Sequence, residues 1–189
     1  DESKLVKFVP ASGAATRMFK FLYDFLAAND KQEALKDRNF NSASYFFANI
    51  SSFAFYQELS QLAKITGKIP DADEMVNVLN ALISDKGLNY GYLPKGLLKV
   101  HSYPDGAKTP VEEHLVEGAL YACSKGKVIV HLTVSEEHIE LFKKQIQKAL
   151  PKLESQYKLK FDIGMSIQKA STDSVSATLE NDLFRDKDG

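Results

Sequence analysis

The stretch "FVPASGAATRMFKFL", Phe8 to Leu22, decides how the chain is organised. It begins with apolar residues that run to Pro10, continues through four small residues, and then repeats apolar side chains at helical spacing. Proline cannot donate to the hydrogen-bond ladder of a strand, so the extended segment is expected to end beside it. The order is therefore strand, tight turn and helix, and we predict a strand over 4–9 and a helix over 17–28.

The same alternation continues after a Gly- and Pro-rich segment, in which we predict mostly loop and one short strand over 97–101. The later elements are a helix that starts at Thr109 and Pro110, a strand over 127–134, a helix from Ser135 that Pro151 would stop, a strand over 158–167, and an irregular polar segment over 168–189. Alternating strands and helices favour an α/β domain with a largely parallel sheet. Such sheets bind ligands outside the carboxyl ends of their strands, where the turn after Pro10 lies.

Residues 31–84 differ from the rest of the chain because they are dense in aromatic side chains, with "YFFANISSFAFY" at their centre. Amphipathic helices are predicted throughout this segment, one of them capped by Asp71 or Asp73. We interpret the segment as a helical subdomain inserted into an α/β domain that spans residues 1–189. Its aromatic side chains either form a core or present an interface to a partner protein.

The composition excludes several classes of protein. A chain of 189 residues is long enough for one domain with a substantial core, and its net charge of −1 predicts no binding to nucleic acid or to a membrane surface. No apolar run approaches the roughly 20 residues of a membrane span. The single cysteine, Cys123, fits a reducing compartment and predicts a cytoplasmic protein. We expect Cys123 to be a small core residue on a helix.

The small residues of the turn, Ser12 to Ala15, would let a ligand come close to the backbone. Amides at the start of a helix are unpaired and lie at the positive end of its dipole, so phosphate is the expected ligand. Thr16 could cap the helix or donate to a phosphate, and Arg17 could pair with one. A tight turn without any ligand would use small residues as well, and that alternative stays open. The spacing matches neither a P-loop nor the Gly-x-Gly-x-x-Gly fingerprint.

A family resemblance adds to this interpretation. "ASGAATRM" resembles the signature loop of sugar-nucleotide pyrophosphorylases, and "LPKGLLKVH" carries a Pro-Lys pair, Pro94 and Lys95, like the one in a later loop of that family. Together, "VPASGAATRMFK", "PKGLLKVHSY", "TPVEEHL" and "QKASTDSVSA" resemble a bacterial family, the domain-of-unknown-function 4301 group (DUF4301), which is distantly similar to the UDP-sugar pyrophosphorylases. The resemblance implies a three-layer αβα nucleotidyltransferase-like fold, that of the nucleotide-diphospho-sugar transferases, with a mostly parallel sheet and an inserted helical subdomain.

The resemblance also implies an activity, the transfer of a nucleotidyl group from a nucleoside triphosphate to a sugar phosphate with release of pyrophosphate. Arg17 and Lys95 would be catalytic, the first on the leaving pyrophosphate and the second on the phosphates under attack. The nucleotide- and phosphate-binding positions implied are Ala11, Ser12, Gly13, Ala14, Ala15, Thr16, Gln168, Thr172 and Asp173. Ser12 and Ala15 stand where the family loop has glycines, so the turn is expected to differ in shape.

The cofactor implied by the resemblance is Mg²⁺, which substrate phosphates and one or two carboxylates usually hold. Because the family supplies its key aspartate from a later strand, we expect the metal ligands to lie outside this chain. We therefore expect the chain to be a fragment of a longer protein and to be inactive alone. Two alternatives remain, namely a non-catalytic protein that binds nucleotides or sugar nucleotides, and an interaction module that uses the helical insertion.

The remaining ionisable residues show no recognisable metal or catalytic pattern. The four histidines, which are His101, His114, His131 and His138, do not share the spacing of metal ligands. We expect His131 to be a packed or solvent-facing side chain of a strand. The acids of the helix that begins at Thr109, namely Glu112, Glu113 and Glu117, are predicted to be solvated.

Overall fold

The computed structural model describes residues 4–67 and 71–169. The strands are β1 (Lys7–Pro10), β2 (His101–Tyr103), β3 (Gly106–Lys108), β4 (Cys123–Ser124), β5 (Lys127–Val134) and β6 (Lys160–Ile167). The α-helices are α1 (Lys20–Ala27), α2 (Lys31–Ala34), α3 (Ala43–Ala48), α4 (Tyr56–Leu62), α5 (Ala72–Ile83), α6 (Pro110–Tyr121) and α7 (Ile139–Tyr157). Short 3₁₀ helices cover Thr16–Phe19, Ile50–Ser52, Lys95–Leu97 and Glu136–His138.

The sheet is mostly parallel, as predicted, and β5, its central strand, has the predicted bounds. β6 pairs with it in parallel along its whole length, and β1 pairs in parallel with its second half, with Val9 opposite Leu132. β4 pairs antiparallel with the first residues of β5. Pro10 belongs to β1 because the next amide, that of Ala11, donates to Thr133 O at 2.8 Å. Alternation along the strand then turns the nitrogen of Pro10 away from β5.

α6 and α7 pack on one face of this sheet. The inward side chains of β5 recur at every second residue and are fully buried, namely those of Val128, Val130, Leu132 and Val134. Leu115 of α6 and Phe142 of α7 meet them and are also fully buried. Gly118 lets α6 approach the strand closely, since a Cβ there would lie 2.9 Å from Cγ1 of Val128.

The opposite face of the sheet carries Phe8 and His131, whose rings stack with centroids 5.7 Å apart. Phe8 is 62% exposed, and His131 is half-buried with its Nε2 2.9 Å from Oγ of Ser166. Among the described residues, helices therefore cover one face of the sheet. His131 is packed in the way that the sequence analysis expected.

The aromatic segment is helical in its described parts, and it shares one core with Leu22 and Phe25 of α1 and with Tyr90. Its described parts contain helices α2 to α5 and one 3₁₀ helix, and Asp71 caps α5 by accepting from the amide of Glu74 at 2.9 Å. Phe46, Phe53 and Phe55 stack in series, with ring centroids 5.1 and 5.2 Å apart. These contacts favour the core interpretation of the aromatic side chains. The interpretation of 31–84 as an inserted subdomain stays a prediction.

Pro151 does not end its helix, and this prediction was wrong. α7 continues to Tyr157, and Lys158 follows with a left-handed φ of 56°. A proline inside a helix removes one hydrogen bond and crowds the carbonyl four residues earlier, at a cost of about 3 kcal/mol. Leu153, two residues after the proline, is buried against the sheet. The burial of this face of α7 offsets the cost of the proline.

The predicted strand over 97–101 was also wrong. Leu97 ends a 3₁₀ helix, Leu98 is fully buried, and the strand begins only at His101. β2 and β3 form a hairpin in which Gly106, the first residue of β3, directly follows the turn and has a φ of +118°. Glycine adopts that conformation without steric cost, which explains why the Pro- and Gly-rich segment contains a hairpin.

Cys123 is exposed and lies in β4, so the prediction of a buried helical position was wrong. α6 ends at Tyr121, and the chain then enters a hairpin that leads into β5. The two turn residues, Lys125 and Gly126, both have positive φ values of 51° and 75°. Two such residues produce a turn whose twist matches the flanking strands.

No helix in the described part of the chain has the length and apolar character needed to cross a membrane.

Leu115→Ala should lower the free energy of unfolding by about 2–5 kcal/mol, because it leaves a cavity between α6 and β5. Leu120→Ala on the same helix is the control, since Leu120 is 54% exposed and should change stability by about 0.5 kcal/mol or less. Urea denaturation of both variants measures the difference. Equal losses for the two leucines would contradict the packing of α6 described above.

Candidate functional site

The turn after β1 lies at the carboxyl edge of the sheet, beside the residues that follow β5 and β6. Ala11 is joined to β5 by the hydrogen bond to Thr133 O described above. Ser135, directly after β5, donates from Oγ to Ser12 O at 3.3 Å. Gln168, directly after β6, accepts a hydrogen bond at Oε1 from Oγ of Ser12. The ends of all three parallel strands thus meet at the turn, as the topology requires.

Lys95 is brought to the same turn through its main chain. Its amide donates to Gly13 O at 3.0 Å, and the preceding residue, Pro94, forms an isolated antiparallel bridge with Ala14. Pro94 is buried whereas Lys95 is exposed, so the proline anchors the loop and the lysine remains accessible. The structure therefore joins the two segments that the sequence analysis had linked only by resemblance.

A cavity of about 200 Å³ lies between the turn, Lys95 and the start of α6. Small or apolar residues form most of its wall, among them Ala11, Gly13 and Gly96. Its ionisable lining side chains among the described residues are Lys95 and His114. A Cβ at Gly96 would lie 2.9 Å from Cζ of Phe142, so that glycine allows the loop to pack directly on α7.

Gly13 is not required by the fold of the described residues. Its φ lies outside the positive range, and a Cβ built on it would meet no described atom within 4 Å. A glycine that serves a tight turn would normally have a positive φ or a crowded Cβ position. Gly13 has neither, which favours the interpretation that its missing side chain leaves room for something outside the chain.

The other members of the turn have distinct environments. Ala15 is buried in the helical core, with an ordinary right-handed φ of −92°, so alanine causes no strain where the family loop has glycine. A 3₁₀ helix follows it, in which the amide of Met18 donates to Ala15 O at 2.8 Å. No described main-chain carbonyl accepts a hydrogen bond from the amides of Ser12, Thr16 or Arg17.

Both predicted catalytic side chains are exposed. Within residues 4–67 and 71–169, no carboxylate forms an ion pair with Arg17 or Lys95. Arg17 lies outside the cavity wall that includes Lys95, on the 3₁₀ helix that begins at Thr16. Thr172 and Asp173 lie outside the described residues, so their predicted roles stay predictions.

His114 is a residue of this site that the sequence analysis missed. Its Nδ1 lies 3.0 Å from Oε2 of Glu117, and Nζ of Lys7 in β1 lies 2.7 Å from the same oxygen. Lys7, and to a lesser extent His114, hold the pKa of the Glu117 carboxyl below its usual value. The signal was present in "HLVE", because residues three apart lie on the same side of a helix.

The acids of α6 make specific contacts, so the prediction that they are merely solvated was wrong. Glu112 completes a capping box with Thr109, whose amide donates to the Glu112 carboxylate at 2.8 Å. Glu113 accepts from Tyr103 at 2.8 Å and lies 2.8 Å from Nδ1 of His101, on the hairpin side of α6. Only His114 among the histidines lines the cavity beside the turn, as far as the described residues extend.

The described residues do not fit a protein-held metal ion. They contain no group of three or more His, Cys, Asp or Glu side chains placed to hold one. The described lining of the cavity includes no carboxylate, the ligand that Mg²⁺ prefers. We therefore derive no chemical step through a metal bound to these side chains.

Lys7→Met should raise the pKa of Glu117 toward its ordinary value of 4.5, because the larger cause of the lowered pKa is removed. In the unchanged protein, the pairing of Lys7 with Glu117 stabilises the fold at pH values above the ordinary pKa of the Glu117 carboxyl. This stabilisation is lost as the pH falls through the lowered pKa of the folded protein. Carboxyl-detected NMR titration measures the shift. Lys127→Met, which removes the ion pair to Asp162, is the control and should leave Glu117 unchanged. An unaltered Glu117 titration in Lys7→Met would contradict this contact.

Comparison with protein families gives one match, to the family described as "Domain of unknown function (DUF4301)", over residues 1–189. Comparison with curated proteins and with solved structures gives no match. The family match covers the turn, the Pro-Lys pair, α6 and the three parallel strands that form the site. The chain therefore belongs to the DUF4301 family.

Proposed function

We propose that the protein is a nucleotidyltransferase of the sugar-nucleotide pyrophosphorylase type, which binds a nucleoside triphosphate at the turn after β1. The proposal includes the three-layer αβα fold of the nucleotide-diphospho-sugar transferases. The observation that carries it concerns Gly13. Its φ is not positive, and a Cβ at this position would meet no described atom within 4 Å, so the described residues do not require a glycine there. A glycine there leaves room for a ligand to approach the backbone closely, and this supports the proposal.

The surroundings of Gly13 support a polyphosphate as this ligand. The amides of Ser12, Thr16 and Arg17 have no described main-chain acceptor, and donors of this kind bind anions. Two exposed cations have no described counter-charge, Lys95 beside the turn and Arg17 on the 3₁₀ helix that follows it. Positive charge without a protein partner is what a site for a multiply charged anion needs.

In the proposed reaction, an oxygen of the sugar phosphate attacks the α-phosphorus of the triphosphate. The bond from that phosphorus to the bridging oxygen breaks, and pyrophosphate leaves with the electron pair. The protein positions the two substrates and compensates the negative charge of their phosphates. In this proposal Lys95 lies beside the phosphates and Arg17 beside the leaving pyrophosphate. Mg²⁺ would be held by the phosphates themselves, with its protein ligands outside the described residues.

A second candidate is a protein that binds nucleotides or sugar nucleotides without catalysis. The observation that favours it is the described lining of the cavity, in which Lys95 and His114 can hold an anion by charge and hydrogen bonds without a metal. Turnover of a triphosphate and a sugar phosphate by the full-length protein separates the two candidates. Release of pyrophosphate supports the enzyme, whereas binding without release supports the second candidate.

Gly13→Ala should weaken binding of UTP about tenfold or more, the value of roughly one hydrogen bond to a charged group, while the melting temperature of the free protein is kept or slightly raised. The reciprocal control is Gly126→Ala, because Gly126 has a φ of +75° and lies in the hairpin before β5. That control should lower stability and leave UTP binding intact. Calorimetry of UTP binding, together with thermal denaturation, tests both variants. UTP binding that survives Gly13→Ala unchanged would support the ligand-free turn instead.

Arg17→Ala and Lys95→Ala should each reduce the stabilisation that UTP gives. In the unchanged protein, ligand at 100 times its Kd adds about 2.7 kcal/mol, or roughly 5–10 °C in melting temperature. Arg38→Ala and Lys86→Ala are matched controls, because both residues are exposed and lie outside the turn. Thermal-shift measurements on the full-length protein compare the four variants. An equal UTP shift in all four would remove Arg17 and Lys95 from the proposed site.

A further inference from the structure

We propose that His114 is a ligand-binding residue, and that the cavity beside it receives the phosphoryl group of a phosphate monoester. This inference rests on the proposed function, because a sugar phosphate is the monoester that the reaction needs. It adds a residue and a second subsite to the triphosphate site at the turn. Four features of the structure lead to it.

The first feature is the size of the cavity. Its volume is about 200 Å³, below the range of roughly 300–1,000 Å³ that is typical of pockets for whole small molecules. The cavity therefore suits one group of a ligand better than a complete nucleotide. Its position between the turn and α6 lets the rest of a ligand extend outward toward Lys95, which is exposed.

The second feature is the contrast between the wall and the polar groups. Val9, Val111 and Leu132 line the cavity and are buried, so the charged groups at its edge act beside an apolar surface. Electrostatic attraction is stronger there than in open water. The ionisable groups in its described lining are a lysine and a histidine, both of which can donate to phosphate.

The third feature is the way in which His114 is held. Glu117 lies on one side of its ring, next to Nδ1, and Lys7 fixes that carboxylate from β1. A hydrogen on Nδ1 satisfies the carboxylate and orients the imidazole. The other nitrogen, Nε2, has no hydrogen-bond partner within the described residues. The ring is thus positioned by the protein and keeps one nitrogen for a ligand.

The fourth feature is the charge around the imidazole. Among the described residues, Glu117 of α6 pairs with the ring, Lys7 of β1 pairs with Glu117, and Lys95 lines the same cavity. With Nδ1–H directed at Glu117, Nε2 is the ring atom left for the ligand, and in the protonated ring it donates to a phosphate oxygen.

The test uses inorganic phosphate and glucose 1-phosphate as probes, with the full-length protein and isothermal titration calorimetry near neutral pH. The unchanged protein should bind phosphate, and glucose 1-phosphate should compete for the same site. His114→Gln should weaken phosphate binding about tenfold or more.

His101→Gln is the matched control, because His101 is also held by a carboxylate, that of Glu113 at 2.8 Å, but lines a different surface. It should leave phosphate affinity unchanged. Glu117→Gln is the second variant, since it leaves the imidazole in place but removes the carboxylate that orients it. It should weaken phosphate binding by a smaller factor than His114→Gln does.

The outcomes separate this inference from the proposed function. UTP binding that persists in His114→Gln, together with lost phosphate binding, supports both. Phosphate binding that depends on His114 in a protein that does not bind UTP supports the inference and contradicts the proposed function. Phosphate that binds equally well to His114→Gln, or not at all to the unchanged protein, overturns the inference. Glucose 1-phosphate that fails to compete with bound phosphate also overturns it.

Discussion

The structure depends on the burial of one face of β5. Four β-branched or leucine side chains of this strand are removed from water by α6 and α7, and each contributes about 1.5–3 kcal/mol relative to an exposed position. β1 and β6 take their register from this strand, and a shift by one residue would turn the apolar side chains of β5 outward. The burial of β5 therefore sets where the three parallel strands end. The candidate site lies at those ends.

The site is completed by a contact between distant parts of the chain. The main-chain hydrogen bond from Lys95 to Gly13 joins the loop before α6 to the turn after β1, with the helical segment between them in the sequence. Pro94 is buried and secures this contact, so the accessible group is the lysine side chain. The helical segment shares its core with Leu22 and Phe25 of α1 and with Tyr90, and its aromatic rings pack on that helix as well as on one another. None of its described residues lines the cavity, although it lies between two parts of the site in the sequence.

Several elements could be predicted because their signals are local. The strand over 127–134 is marked by β-branched residues, and the start of α6 is marked by Thr109 and Pro110. The failures share a different cause. Pro151 and Cys123 were assigned from local propensity, but packing of α7 on the sheet and a two-residue turn before β5 decide their positions. The hairpin after Val100 was missed since its strands are only three residues long and mostly exposed.

The sequence by itself determined the alternation of strands and helices, the turn of small residues and the family to which the chain belongs, because each depends on residues close together in the chain. Only the tertiary structure decided that Gly13 is neither strained nor crowded by described residues, since that depends on neighbours from other elements. It also decided that His114 lines the cavity while Glu117, itself paired with Lys7, holds the ring. The physical reason is distance along the chain: Lys7 reaches Glu117, and Lys95 reaches the cavity that His114 lines, only when β1, the loop before α6 and α6 lie together in the fold.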